Sequence, residues 1–335
     1  MGRNTLKYEL TKSAVKGLVS TRTIKVYKTG CREFANYCKE NGIKDVMTAT
    51  DEQKIEYIQS YERHLEERGM SPSTIHTRVA PICRATKIKM NKIDKPHRTS
   101  DQITRSRTSW KNEQGINQRD NDKYDRVVKA EEAIGCRRSE LERLRVGNCI
   151  RFDNGKPADW IRDESGHICV EICSGKGGKY QLQRIDPDRL AQLRDVIETC
   201  KGGPDPHAKL FSSQEMANKL DLHGIRGEVA RDMYDRYAAH LQSDPAYRDQ
   251  LRQELIDRYD RYNNPARKNA EKHRERFMRD ITNEKPYLLR GSNKEVALAN
   301  DRPIQLDRLA IMAVSVFHLS HWRADVTVTS YLLGR

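Results

Sequence analysis

The sequence has few apolar residues and many charged ones. Hydrophobic residues make up 36% of its 335 positions, aromatic residues 7% and charged residues 33%. No stretch approaches the run of about 20 apolar residues that a membrane-spanning helix needs. The N-terminus also lacks the apolar core of a signal peptide. We therefore expect a cytoplasmic protein of one or two modest, mostly helical domains.

Several motifs that hold metals or phosphates are missing. The eight cysteines include no Cys-x-x-Cys pair, and Cys83 and Cys169 stand beside apolar neighbours. This pattern favours reduced, structural cysteines and gives no sign of a zinc site. The sequence also has neither a Gly-Lys-Ser/Thr phosphate loop nor a cluster of Asp and Glu residues that could hold a metal. We therefore expect neither a metal nor a cofactor.

The charge is strongly positive. Lys and Arg outnumber Asp and Glu by 62 to 48, and the formal net charge is +14. A balance of this kind favours a polyanion such as DNA as the partner. A basic protein without a specific partner is the alternative that charge alone leaves open.

Residues 1–95 are predicted to form a small helical domain. Apolar residues recur with a helical period over 20–41, and further helices are expected from about Asp51 to Arg68 and from Ser71 onward. Basic side chains share faces of these helices, and we predict that they bind DNA: Arg22, Lys25, Lys28, Arg32, Arg78, Arg84 and Lys87.

The rest of the chain divides into a linker and a larger mixed domain. Residues 96–117 are polar and basic without apolar periodicity, which indicates a linker. Residues 118–335 combine helices with an alternating β-hairpin over 167–185. The segment of about 239–301 resembles a charged helical insertion, and the apolar run 306–319 predicts a buried helix. The fold class expected is mainly α with a small antiparallel β-sheet.

Two candidate phosphate-binding residues come first in the larger domain. Arg137 follows a glycine turn at a predicted helix start, where the helix dipole also favours an anion, and Glu140 could hold the arginine in position. Arg138 is the rival for this role. Lys176 lies in the glycine-rich turn of the hairpin and could protonate a leaving oxygen, with Lys179 as the alternative.

The other candidates lie further along. His223 and Arg226 form a His-x-x-Arg motif at a helix start with an apolar face behind it, and a second copy spans 273–276. His321 follows the predicted buried helix, and Tyr331 comes ten residues later. A tyrosine hydroxyl can attack a backbone phosphate and leave the protein covalently attached to DNA. Two guanidiniums suit the paired oxygens of the transition state.

These segments together resemble the tyrosine recombinase, or phage integrase, family. The matching segments are Gly-Cys-Arg-Arg-Ser-Glu-Leu, Ser-Gly-Lys-Gly-Gly-Lys, His-Gly-Ile-Arg, Leu-Ser-His-Trp and the C-terminal tyrosine. The resemblance covers nearly the whole chain. It implies a two-domain DNA clamp, with a helical (SAM-like) core-binding domain at 1–95 and a catalytic domain at 118–335. It also implies six catalytic residues: Arg137, Lys176, His223, Arg226, His321 and Tyr331.

The resemblance further implies an activity and its partners. Members cut and rejoin DNA through a 3′-phosphotyrosine intermediate and a Holliday junction, as a homotetramer on paired inverted sites in double-stranded DNA. We therefore expect an integrase or transposase of a mobile element, located at the bacterial nucleoid, with a DNA-bending or directionality protein as a possible accessory. A type IB topoisomerase, with nearly the same active-site chemistry, and a non-catalytic DNA-binding protein are the alternatives.

One departure concerns the distance from Arg226 to His321, which is much longer than is usual in the family because of the inserted segment. Many members also have a helix beyond the tyrosine that docks into a neighbouring subunit. We therefore expect the insertion to supply the subunit contact.

Overall fold

The computed structural model describes residues 5–103, 122–175, 179–262 and 269–334. The protein is mainly helical with small antiparallel sheets, as the sequence predicts. The chain forms two compact units, Met1–Gln102 and Ile103–Arg335. Within the described ranges, no helix combines the length and the apolar character needed to cross a membrane.

The first unit consists of helices that begin at well-formed caps. Thr5, Ser20, Thr50 and Ser71 each accept a hydrogen bond from the backbone N–H three residues later, which satisfies a donor that the first helical turn leaves free. The helix predicted from about Asp51 is capped by Thr50, which forms a reciprocal capping box with Gln53. The helices are α1 (Leu6–Val15), α2 (Thr21–Glu40), α3 (Asp51–Glu67) and α4 (Pro72–Thr86).

The core of this unit lies where α2 and α4 approach each other. A Cβ atom on Gly30 would stand 2.7 Å from Cγ of Pro81 and 3.0 Å from the Arg78 carbonyl oxygen, so only glycine fits there. Beside this contact, the rings of Phe34 and Tyr61 meet edge to face with centroids 5.1 Å apart. Helix α1, which the sequence analysis did not predict, packs against both α2 and α4.

The second unit has more elements, of more varied length. Its helices are α5 (Asp125–Ile134), α6 (Arg138–Leu141), α7 (Leu190–Glu198), α8 (Ser213–Met216), α9 (Leu222–Ser243), α10 (Tyr247–Tyr262), α11 (Ala270–Thr282), α12 (Ser292–Ala299), α13 (Arg308–Ala313) and α14 (Ala324–Thr327). Two π-helical turns, Val314–His318 and Val328–Leu332, follow α13 and α14. Among the described residues, three antiparallel strand pairs are present: β1 (Ile150–Asp153) with β2 (Lys156–Trp160), β3 (Cys169–Ile172) with β4 (Gln181–Arg184), and β5 (Tyr287–Leu288) with β6 (Gln305–Leu306).

The β3–β4 pair is the predicted hairpin, with Cys169 opposite Arg184 and Ile172 opposite Gln181. All four residues of β4 are buried, although alternation in a sequence is typical of a strand with one buried face. The strand is buried because α10 packs over it: Glu254 of α10 accepts a hydrogen bond from Arg184, and Arg258 of α10 donates one to the Leu182 carbonyl oxygen. The other two strand pairs were not predicted.

The inserted segment is part of the core. Residues that the sequence places in step on one helical face, Leu251, Leu255 and Tyr259, are buried. Their helix packs against α13, and they share one apolar cluster with residues of the π-helical turn that follows α13. Phe277 and Ile281 of α11 join the same cluster. The predicted buried helix begins at Arg308 rather than at residue 306, because Leu306 belongs to β6, and its last turn is π-helical.

Candidate functional site

Tyr331 lies at the centre of a group of basic side chains in the second unit. It belongs to the π-helical turn after α14, and only 4% of its surface is exposed. Its hydroxyl oxygen is 3.2 Å from Nε2 of His321, at hydrogen-bonding distance. The ring of His223 meets the tyrosine ring edge-on, with centroids 5.3 Å apart. Tyr331 therefore has a proton acceptor or donor at its reactive atom and a second imidazole against its ring.

The segment around His321 has an unusual backbone. Ser320 and Trp322, on either side of the histidine, have φ values of 53° and 59°, in the left-handed region that non-glycine residues rarely occupy. The N–H of His321 donates to the carbonyl oxygen of Ser315 at 2.8 Å, which helps hold this conformation. Strain of this kind persists only where surrounding contacts over-determine the conformation, and it is concentrated at functional sites.

Arg226 forms the buried wall of the site. It lies one turn after His223 on α9, is 1% exposed, and its guanidinium carbon lies 5.6 Å from the centre of the Tyr331 ring. Its Nη1 donates to the Gly135 carbonyl oxygen and its Nη2 to the Leu319 carbonyl oxygen, the latter at 2.8 Å. Burial lowers the pKa of this guanidinium, but Tyr331 and the nearby carboxylates of Glu140 and Glu131 together raise it by more. The net shift of the pKa is upward, so the guanidinium keeps its charge.

Gly135 explains how α5 reaches this wall. It ends α5 in the left-handed conformation with φ of 65°, and a Cβ atom there would stand 2.9 Å from a methyl carbon of Val229 on α9. A glycine therefore allows the end of α5 to lie directly against α9. This contact brings the start of α6, where Arg137 stands, to the same side of the unit as Arg226.

Arg137 and Arg138 have separate surroundings. The backbone N–H of Arg137 donates to Glu140 Oε2 at 2.9 Å and its Nη1 to Oε1 at 2.7 Å, and the Glu140 side chain is fully buried. Arg138 instead donates to Asn218 Oδ1 at 2.8 Å and to the carbonyl oxygens of Leu220 and Met216. Arg137 is thus held by one buried carboxylate, whereas Arg138 binds the loop that precedes α9.

The β3–β4 hairpin reaches the same carboxylate. A Cβ atom on Gly175 would lie 3.4 Å from Glu140 Oε1, and the Gly175 N–H donates to the Lys179 carbonyl oxygen at 2.8 Å. The first residue of the hairpin turn is therefore adjacent to the group that holds Arg137. Lys176 lies outside the described residues, and Lys179 is described with an exposed side chain.

Two residues at the site were not predicted from the sequence. Nη1 of Arg231 donates to the Tyr331 carbonyl oxygen at 3.0 Å, and Arg231 is buried. Glu131 is fully buried near Arg226, accepts a weak hydrogen bond from the Cys136 thiol, and burial raises the pKa of its carboxyl well above the ordinary value. In the sequence, Arg231 and Glu131 stand out only as charged residues among apolar neighbours on a helix. Because exposed helices show the same pattern, it does not predict that these two residues lie at the site.

The second His-x-x-Arg copy has different surroundings. His273 and Arg276 lie on α11, and Arg276 forms an ion pair with Asp325 at 2.7 Å. That arginine is 39% exposed in its side chain, in contrast to Arg226.

The basic residues predicted to bind DNA lie on α2 and α4 of the first unit, except Lys87, which directly follows α4. Arg78 forms an ion pair with Glu33 at 3.0 Å, and Arg84 donates to the Lys16 carbonyl oxygen at 2.8 Å. The other five have exposed side chains: Arg22, Lys25, Lys28, Arg32 and Lys87.

No protein-family model matches the chain, and a search of curated proteins finds no match in sequence.

Proposed function

We propose that the protein cuts and rejoins DNA strands through a covalent link to Tyr331, as a site-specific tyrosine recombinase does. The observation that carries the proposal is the 3.2 Å contact between the Tyr331 hydroxyl and His321 Nε2, beside a fully buried Arg226. A tyrosine beside a proton acceptor and a permanent cation has what a phosphate-attacking nucleophile needs.

The proposed reaction uses the residues as follows. The Tyr331 oxygen attacks the phosphorus, a Tyr–O–P bond forms, and the bond from phosphorus to the 5′ oxygen breaks. His321 accepts the tyrosine proton when its Nε2 is unprotonated, and a lysine of the hairpin turn donates a proton to the 5′ oxygen. Arg137 and Arg226 neutralise the charge on the non-bridging oxygens. The phosphotyrosine keeps the bond energy, so the reverse reaction with another 5′ hydroxyl reseals the strand.

The charge of the chain supports DNA as the substrate. The net charge is +14, and exposed cations line α2 of the first unit. The proposed activity calls on both units of the chain to bind one duplex, and on several subunits to assemble on paired sites.

The proposal is tested by trapping the covalent intermediate. Wild type and Tyr331→Phe would be incubated with a pool of duplexes. Each duplex carries a randomised central sequence and a nick at a fixed position within it. Loss of the short nicked fragment prevents resealing. Denaturing gels and sequencing of protein-bound strands then report adducts and preferred sites.

Adducts with wild type but not with Tyr331→Phe are expected, attached to a 3′ phosphate at a defined sequence. Adducts without site preference, together with relaxation of supercoils by the monomer, would indicate the topoisomerase alternative. Binding of DNA without any adduct in the whole pool would indicate the non-catalytic alternative. Adducts with both proteins would place the nucleophile on another residue.

A further inference from the structure

A buried network of charges joins the insertion to the β3–β4 hairpin. Arg258 on α10 is 2% exposed and donates in three directions: from Nε to Glu164 Oε1 at 2.6 Å, from Nη1 to the Leu182 carbonyl oxygen at 2.7 Å, and from Nη2 to Asp163 Oδ2 at 2.7 Å. Leu182 lies in β4, and the two carboxylates precede β3. One side chain of the insertion therefore binds both the approach to the hairpin and its return strand.

A second pair completes the network. Arg184 of β4 donates to Asp163 Oδ2 at 2.7 Å and to Glu254 Oε2 of α10 at 2.9 Å. The other oxygen of Asp163 accepts the backbone N–H groups of Ser165 and His167, which fixes the turn that leads into β3. Arg184 and Asp163 are almost fully buried, so their charges are held by each other and by α10 rather than by water.

Aromatic contacts extend the network at both ends. At the hairpin turn, the ring of Tyr262 at the end of α10 stacks on Tyr180, with centroids 5.7 Å apart. At the other end, the Arg184 guanidinium lies 3.5 Å from the ring centre of Phe317, in the π-helical turn that leads to His321. The network thus runs between the two segments that supply the hairpin turn and the site histidine.

The buried charges fix the orientation of the hairpin relative to α10 more closely than apolar side chains at the same positions would. Burying ions costs free energy that only well-formed hydrogen bonds offset, so such networks add little net stability compared with apolar side chains. A planar guanidinium with several donors does, however, fix the orientation of its acceptors. The first strand of the hairpin that is held in this way leads to Gly175, the first residue of the turn, which lies directly beside Glu140.

We infer that α10 of the insertion holds strands β3 and β4, and Gly175 at the start of their turn, in place beside Glu140. Arg258 is thereby a positioning residue for the protonation of the leaving oxygen from this hairpin. The inference rests on the proposed function. It assigns the insertion a role within its own subunit, in addition to the subunit contact expected from the sequence.

The test separates leaving-group protonation from all other steps. Two nicked duplexes of the same selected sequence would be used, one with the natural 5′ oxygen at the cleaved bond and one with sulfur in its place. A thiolate is stable without a proton, so the sulfur substrate does not need the lysine. Single-turnover adduct formation would be measured for wild type, Arg258→Met, Tyr262→Ala and Arg252→Met.

The variants are chosen to separate folding from positioning. Tyr262→Ala removes the stack on Tyr180 and the contact of the same ring with the Arg258 guanidinium, but it leaves every hydrogen bond of Arg258 in place. It therefore remains informative if Arg258→Met folds poorly. Arg252→Met is the matched control, because Arg252 lies on the same helix but binds Asp249 and the Ile281 carbonyl oxygen rather than the hairpin. Circular dichroism and DNA affinity would be compared for all four proteins.

We expect Arg258→Met and Tyr262→Ala to react with the oxygen substrate about 10- to 100-fold more slowly than wild type, with the sulfur substrate largely restoring the rate. Arg252→Met should match wild type on both substrates. Equal slowing on the two substrates, or no slowing of either variant, would overturn the inference. If wild type itself forms no adduct with either substrate, the proposed function fails first.

Discussion

Arg231 on α9 donates from Nη1 to the backbone carbonyl oxygen of Tyr331 at 3.0 Å. The same helix supplies His223 and Arg226, which contact the tyrosine ring. One helix therefore contacts both the side chain and the backbone of the proposed nucleophile. The Arg231 side chain is buried, and burial lowers the pKa of its guanidinium.

We predict that Arg231→Met loosens the tyrosine segment and slows cleavage about 10-fold without weakening DNA binding, since losing a positioning partner costs roughly this much. Hydrogen exchange of the amides of 328–334 should become faster than in wild type. The rate of adduct formation would be measured on the same samples. Unchanged exchange in this segment would show that the hydrogen bond does not hold it.

Arg137 and Arg138 should respond differently to alanine substitution. Arg137→Ala should slow adduct formation by a few hundredfold, about 3–4 kcal/mol, because it removes a donor to the transition-state charge. Arg138→Ala should instead lower the free energy of unfolding by about 1–3 kcal/mol, because three acceptors in the loop before α9 lose their donor. Urea unfolding and single-turnover cleavage would be measured for both variants. A larger catalytic loss for Arg138→Ala would exchange the two roles.

His318 makes stability depend on pH. Burial and the nearby cations Arg184 and Arg258 lower the pKa of its imidazole from 6.5 to about 3, and its Nε2 lies 3.2 Å from the Tyr237 hydroxyl. The contribution of the neutral His318 imidazole to the free energy of unfolding is complete above pH 6.5. It is lost as the pH falls from 6.5 towards 3, because in that range the unfolded chain binds a proton at His318 and the folded protein does not. The free energy of unfolding should fall by about 2 kcal/mol from this group between pH 7 and pH 5.

The corresponding measurement compares wild type with His318→Gln by urea unfolding at pH 7, 6 and 5. The variant should lose about 2 kcal/mol less than wild type over this range, whatever its stability at pH 7. Parallel decreases in the two proteins would show that another group is responsible.

The basic face of α2 should contribute phosphate contacts. Replacing Lys25, Lys28 and Arg32 with alanine should lower the slope of log affinity against log salt by roughly 2–3, close to the counterions released at three phosphates. The control replaces three exposed cations outside the predicted faces, Lys44, Arg63 and Arg68, and removes the same charge. Equal changes in slope for the two triple variants would contradict a specific DNA-binding face.

The helices could be predicted from the sequence where the signal is local. The apolar period of α2 and the alternation around β3 depend on residues within a few positions of one another, and the structure contains both elements. The residues of the proposed site could be nominated as well, because their five short segments occur in the order that carries the resemblance to tyrosine recombinases, although each segment alone is weak. Their roles in catalysis remain predictions.

The sequence by itself determined the helical class, the hairpin, the positive charge and the candidate residues, since each depends on composition or on neighbours along the chain. Only the tertiary structure decided that Arg138 faces a loop, that Arg231 holds Tyr331, and that Arg258 binds the hairpin. These partners are about 75 to 100 residues apart. Their contacts arise when α9, α10 and the π-helical turns pack together, and no local pattern in the sequence encodes which distant carbonyl or carboxylate a buried arginine meets.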